Sequence, residues 1–164
     1  MGAPLLLCMG LVAAKAAVPP AAIPDSTPVH LAIDLRIAHP AELEDFRRGQ
    51  HDPASPDYQR SLSPQEFGRR FGPSAQLYKR VCDWLRGGGF TVTEFPNRIF
   101  VEGMGTAAQV TQLLGIRLQR VEGQPASVHV PDGPPRLPAW LAREVLHVSG
   151  LDTRVRYHHH VAVR

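Results

Sequence analysis

From His30 to Ile37 the chain reads HLAIDLRI, with apolar and polar residues in alternation. Leu31, Ile33, Leu35 and Ile37 fall on one face and Asp34 and Arg36 on the other, the pattern of a half-buried strand. The period then lengthens. Pro40 sits where a helix starts, and Leu43 and Phe46 form one apolar stripe through AELEDFRRG. Glu42, Glu44 and Asp45 lie in its first turns, where the helix dipole favours carboxylates. Gln50 to Arg60, with two prolines, is a loop. Ser63-Pro64-Gln65-Glu66 opens a short helix carrying Phe67 and Phe71. Ser is its N-cap, Pro takes the first position, and Glu closes a capping box. Ser74 caps the next helix, whose buried face is Leu77, Val81, Trp84 and Leu85, and Gly87-Gly88-Gly89 ends it.

Phe90–Phe95 and Arg98–Gly103 are two short strands joined by Pro96-Asn97, a spacing that only an antiparallel hairpin can bridge. Thr106 and Gln109 form a second capping box, Val110, Leu113 and Leu114 give that helix its stripe, and Gly115 stops it. Ile116–Val121 (IRLQRV) alternates as a closing strand, with Ser127–Val130 as its partner. Pro134–Pro138 is irregular, and Ala139–Leu146 is a short helix or a final extended segment. This order predicts an α+β domain of ferredoxin-like (split βαβ) architecture, an antiparallel sheet with helices on one face.

The length of 164 residues allows one domain plus tails. At 43% apolar and 20% charged, the chain can bury a core, which excludes wholesale disorder. The formal charge is +3 and comes almost entirely from arginine. A nucleic-acid binder could share that balance, but these arginines are scattered and build no stripe. Cys8 and Cys82 are too few for a disulfide framework or a zinc site. Cys82, in a predicted helix, reads as a small buried apolar residue. Met1 to Ala17 resembles a secretory leader: Leu5–Ala14 is apolar and too short to span a bilayer, and Ala14-Lys15-Ala16 is a small-x-small cleavage pattern. It lacks a basic n-region, so a low-complexity leader is the alternative. Residues 18–28 read as a Pro/Ala linker. Residues 153–164, including His158-His159-His160, read as a linker or truncated tail, since consecutive histidines do not converge on one ion.

One stretch, RIFVEGMGTAA from Arg98 to Ala108, carries two look-alikes. The G-x-G-x-x-A pattern suggests a dinucleotide loop, and Glu122 stands at the expected acidic position. That loop needs a buried parallel strand within a βαβ unit, whereas this strand is one arm of a hairpin and carries Arg98 and Glu102. IFVEGM suggests an RNA-binding strand, but the second aromatic motif is absent and Phe100 alone makes no stacking platform. Phe100 is expected in the core or at its edge, and Gly103 and Gly105 are expected to serve backbone geometry. No nucleophile elbow or other catalytic constellation has a recognisable context.

The segment HDPASPDYQRSLSPQEFGRRFGPS is more specific. His51, Asp52, Pro53, Ser55, Pro56 and Tyr58, then Leu62, Glu66 and Phe67, then Phe71, Gly72 and Pro73 resemble the activation domain of the sedolisin (kumamolisin-like, serine-carboxyl) peptidases. Trp84, Leu85, Gly89 and Phe90 continue the likeness, as do Asn97-Arg98, Gly105-Thr106, Gly115-Ile116-Arg117-Leu118 and Gly150-Leu151-Asp152. It covers about residues 29–152. Ser61 departs from it, where relatives carry a bulky aromatic.

The resemblance implies a secreted precursor's propeptide, an intramolecular chaperone and temporary inhibitor that proteolysis removes. It implies no catalytic residue, cofactor or metal in this chain. The Ser-Glu-Asp triad and the calcium site would lie in a catalytic domain, the partner in cis or in trans, with no nucleic acid and no membrane after processing. The alternatives are a fragment of a full-length acid endopeptidase precursor and, more remotely, an RNA-binding domain. The eight histidines further suggest that acid weakens the attachment to the partner.

Overall fold

A computed structural model of the chain describes residues 21–125 and 127–154. The alternation in the first strand is the organising feature. β1 (Pro28–Leu35) sends Val29, Leu31, Ile33 and Leu35 into the core and leaves His30, Ala32 and Asp34 on the far side. β1 is central in a four-stranded antiparallel sheet ordered β2-β3-β1-β6. β2 (Thr91–Glu94) and β3 (Phe100–Thr106) are the predicted hairpin, pairing Thr91 with Met104 and Glu94 with Val101.

Between β1 and β2 run α1 (Pro40–Gly49), α2 (Pro64–Arg70) and α3 (Ala75–Gly87). α4 (Ala107–Leu114) follows β3 directly. Both predicted capping boxes are formed. Ser63 Oγ accepts from the Glu66 N–H and Thr106 Oγ1 from the Gln109 N–H, while each N3 side chain accepts from the cap residue's own N–H. α3 and α4 lay Tyr78, Val81, Cys82, Leu85, Ala107, Val110 and Leu114 over the apolar side of the sheet. Each fully buried aliphatic side chain there contributes about 1.5–3 kcal/mol relative to exposure. Gly115 ends α4 with φ 64, a left-handed stop suited to glycine.

The sequence-based topology needs one correction. Ile116–Val121 is not the closing strand of the main sheet. Its central part, β4 (Leu118–Arg120), pairs with β5 (His129–Pro131) in a separate two-stranded ribbon. The other side of β4 is taken by the N-terminal segment. Ile23 N–H donates to Leu118 O (2.9 Å) and Arg120 N–H to Ala21 O (2.8 Å). Ile23 is buried, so the linker expected over residues 18–28 is part of the folded body from Ala21 onward. The place beside β1 belongs to β6 (Val145–Ser149), which follows the short helix α5 (Ala139–Ala142). β6 carries a bulge in which Leu146 has no partner across β1 and is exposed. In sequence, VLHVS is short and apolar and follows a helical turn, a context in which strand and helix look alike.

Candidate docking surface

The sheet has two unlike faces because its strands have period two. One is covered by α3 and α4. The other carries Thr91 and Thr93 from β2, Phe100, Glu102 and Met104 from β3, His30, Ala32 and Asp34 from β1, and His147 and Ser149 from β6. Among the described residues no helix lies over it. Met104 is 59% exposed near its centre. At one end the Phe95 and Phe100 rings pack on each other, centroids 4.1 Å apart. Phe100 is half-buried and lies outside the core, the second of the two places expected for it, because its strand position opposite Asp34 points it away from the helices.

His30 Nε2 lies 3.6 Å from Glu102 Oε2, and His147 is the register partner of Asp34. The face thus mixes Ala32, Phe100 and Met104 with polar side chains, including the His30–Glu102 contact and a second histidine, His147, opposite Asp34. Beyond β6 it opens into a groove of about 910 Å³ between His147–Thr153 and the Pro131–Pro135 segment.

The motif residues of the loop and helices occupy other places. The rings of Phe67 and Phe46 pack on Phe71 at 5.3 and 5.7 Å, and the Arg70 guanidinium lies 5.0 Å over the Phe71 ring. Gly72, Pro73, Leu85 and Phe90 are buried, Leu62 and Trp84 half-buried. Gly89 takes φ 84 at the end of α3. Glu66 is the capping carboxylate, and Ser63 holds it below the usual carboxylate range. His51, Asp52, Pro53, Pro56 and Tyr58 stand exposed on a turn-rich loop. That loop is shaped by its own side chains: Asp52 Oδ1 accepts from the Ala54 N–H (2.9 Å) and Ser55 Oγ from the Asp57 N–H (3.1 Å). None of these residues lies on the open sheet face. Sequence reasoning assigned the face to no role, although the alternation that buries Leu31 and Ile33 also places His30, Ala32 and Asp34 there.

The two glycines of RIFVEGMGTAA are explained by Phe90. A Cβ on Gly105 would stand 2.6 Å from Phe90 Cε1 and 2.8 Å from Gln109 Oε1, so that ring and amide fill the space above the turn. Neither glycine has a positive φ; close approach to the ring, not backbone freedom, is what they supply.

No group of three or more His, Cys, Asp or Glu among the described residues could hold a metal ion, and none of their helices is long and apolar enough to cross a membrane. His158-His159-His160 and the leader-like stretch lie outside the described residues. Cys82, fully buried in α3, has its thiol pushed up to about 11 by burial, with Glu94 adding to the shift. Alkylation of Cys82 at pH 8, followed by mass spectrometry of its tryptic peptide, is expected to run at least about 100-fold slower than in the unfolded chain. Equal rates would contradict this buried placement.

The sequence of this domain matches a known family. The profile described as "Pro-kumamolisin, activation domain" matches residues 16–154. The chain belongs to this family. Among curated relatives, xanthomonalisin from Xanthomonas sp. (strain T-22) is 31% identical over 137 residues, covering 82% of this chain and 17% of that protein. Sedolisin from Pseudomonas sp. (strain 101) is 24% identical over 148 residues, covering 90% of this chain and 25% of that protein. The chain therefore spans a quarter or less of the length of these relatives.

Proposed function

We propose that this activation domain is the propeptide of a secreted sedolisin-type serine peptidase, acting as folding chaperone and temporary inhibitor until proteolysis removes it. Support comes first from the bare sheet face. An antiparallel sheet can leave one face to water, but this one presents an exposed Met104 beside Ala32 and Phe100, apolar surface that a partner can cover. Its occupant is the catalytic domain of such a peptidase, in cis or in trans, because the relatives are several times longer than the region they share with this chain. In this reading the chain itself holds no catalytic residue and needs no cofactor. A preformed sheet offers a template to a large partner whose contacts are non-local and hence slow to form.

RNA binding is the weaker reading, although Phe100 stands on an open sheet face. Its ring is already packed on Phe95, and the face carries Asp34 and Glu102, which repel phosphate.

The test is to titrate the full chain into an assay of xanthomonalisin or a comparable sedolisin-type peptidase. Slow-binding inhibition is expected, and Met104→Glu is expected to weaken it roughly 10- to 100-fold, as for a central interface side chain. Absence of inhibition, or unchanged potency of Met104→Glu, would overturn the docking reading. Acid should also weaken it. Partner carboxylates, with reference pKa values of about 4, become neutral as pH approaches 4, so their attraction to a domain of net positive charge weakens. Inhibition is expected to decline from pH 7 to pH 4; a flat or rising affinity removes the electrostatic part of the proposal.

A further inference from the structure

Residues of α2, α3 and the β2–β3 hairpin line a cavity of about 620 Å³. Of the residues described at the sheet face, only Phe95 also lines it. Part of its lining is apolar and fixed. Tyr78 is 5% exposed, and its hydroxyl donates to Phe100 O (3.0 Å) and accepts from the Phe95 N–H (2.7 Å). Phe95 and Pro96 continue this apolar part. Most of the rest is cationic: Arg69, Lys79, Arg86 and Arg98 line the cavity against one carboxylate, Glu94.

Lys79 and Arg86 are already engaged. Lys79 Nζ lies 2.5 Å from Asp83 Oδ2, and Arg86 is shared between Asp83 and Glu94. Arg69 and Arg98 differ: among the described residues, neither forms an ion pair with a carboxylate. Arg98 donates through Nη2 to Gly68 O, which seats its guanidinium at the backbone next to Arg69. That bond ties the hairpin to α2 and accounts for Arg98 as a structural residue. It does not account for Arg69, which is exposed. The acidic residue nearest to it in sequence, Glu66, already accepts from the Ser63 N–H (2.8 Å) and hydroxyl (2.7 Å). Ala75, the first residue of α3, adds the positive end of that helix's dipole to the lining.

We propose that this cavity docks an acidic peptide segment: Arg69 and Arg98 take a Glu or Asp carboxylate, and Tyr78, Phe95 and Pro96 receive the apolar side chain beside it. Charge complementarity sets the sign of the occupant, because an unpaired guanidinium presents a planar fork that matches a carboxylate. The remaining lining decides what carries that carboxylate. A nucleic-acid strand would bring several phosphates past Glu94 and Asp83, which repel them. A peptide can place one carboxylate and keep its neighbour apolar. The cavity lies within the range of about 300–1,000 Å³ usual for ligand sites, room for a few side chains. The site is separate from the bare sheet face, so its test needs no peptidase and can fail independently of docking there.

The experiment is fluorescence anisotropy of the full chain with a labelled peptide amide, Gly-Ser-Glu-Glu-Phe-Ser-Gly, and with its counterpart in which both Glu are Gln. The acidic peptide is expected to bind at least about tenfold tighter, the effect of a charge-assisted contact in a partly buried site. Arg69→Glu is expected to remove that preference. Arg47→Glu, the same charge change on the exposed surface of α1, is expected to keep it. In the unmodified chain, adding the acidic peptide is expected to shift the NMR amide signals of Arg69, Lys79, Phe95 and Arg98 and to leave those of His30 and His147 in place, a readout that needs no variant. Equal binding of the two peptides, or no binding of either, overturns the proposal. So does an equal loss in Arg69→Glu and Arg47→Glu, tighter binding of a labelled oligothymidylate, or amide shifts centred on the sheet face.

Discussion

Replacing Phe71 by alanine is expected to lower the unfolding free energy by about 3–5 kcal/mol, the usual range for truncating a buried aromatic. Phe71 is fully buried where α1, α2 and the approach to α3 converge. Phe46 and Phe67 pack on its ring from two sides, and Arg70 lies over both Phe46 and Phe71. Its backbone also ties the layers together, because Ala38 N–H donates to Phe71 O (2.9 Å). These neighbours belong to separate elements and cannot all close on the vacated space, so a cavity remains. Equilibrium denaturation in urea measures the loss, and a change below about 1 kcal/mol would mean that the cluster repacks freely.

Gly150→Ala is expected to be nearly as damaging, for a backbone reason. Gly150 follows β6 with φ 87, in the region open to glycine. An added Cβ would overlap the carbonyl oxygen of His30 and stand 3.0 Å from Leu31 Cα, both rigid parts of the central strand. Left-handed backbone costs a non-glycine residue about 1–2 kcal/mol, and overpacking commonly adds about 1–3 kcal/mol. The combined loss is expected at roughly 2–5 kcal/mol in the same urea assay. Gly123→Ala is the control. It shares the positive φ (75) but has nothing within 4 Å of an added Cβ, so only the backbone cost of about 1–2 kcal/mol applies. Equal losses at the two positions would show that the approach to β1 is looser than described.

The helix starts were legible in the sequence because capping is local chemistry. Ser63 with Glu66 and Thr106 with Gln109 need only three residues and a backbone turn, and both boxes stand as read. The hairpin was legible for a similar reason: two residues cannot bridge a parallel crossover. The closing strand was not legible. Ile116–Val121 alternates convincingly and pairs with β5, close to the Ser127–Val130 partner read from the sequence, but its other neighbour is Ala21–Ile23 and not the main sheet, while the weaker VLHVS takes the sheet edge. Alternation states that a strand has two faces; it does not state which neighbour supplies the hydrogen bonds.

The candidate site divides along the same line. The motif from His51 to Pro73 marks the family, but its buried members build the Phe71 cluster and its exposed members a surface loop, all away from the bare sheet face. The members of that face are spread from His30 to Ser149 and share no motif, because what unites them is register: His30 opposite Met104, Ala32 opposite both Glu102 and Ser149. His129 shows the contrast most sharply. In sequence it is one of eight histidines. The tertiary structure buries it to 5% exposure and leaves both ring nitrogens without a hydrogen-bond partner. Local periodicity and capping thus determined the α+β class and the helix starts, and the motif residues from His51 to Pro73 pointed to the family. Strand partners, the uncovered face and the buried imidazole were decided by the tertiary structure, since each depends on contacts between residues far apart in the chain.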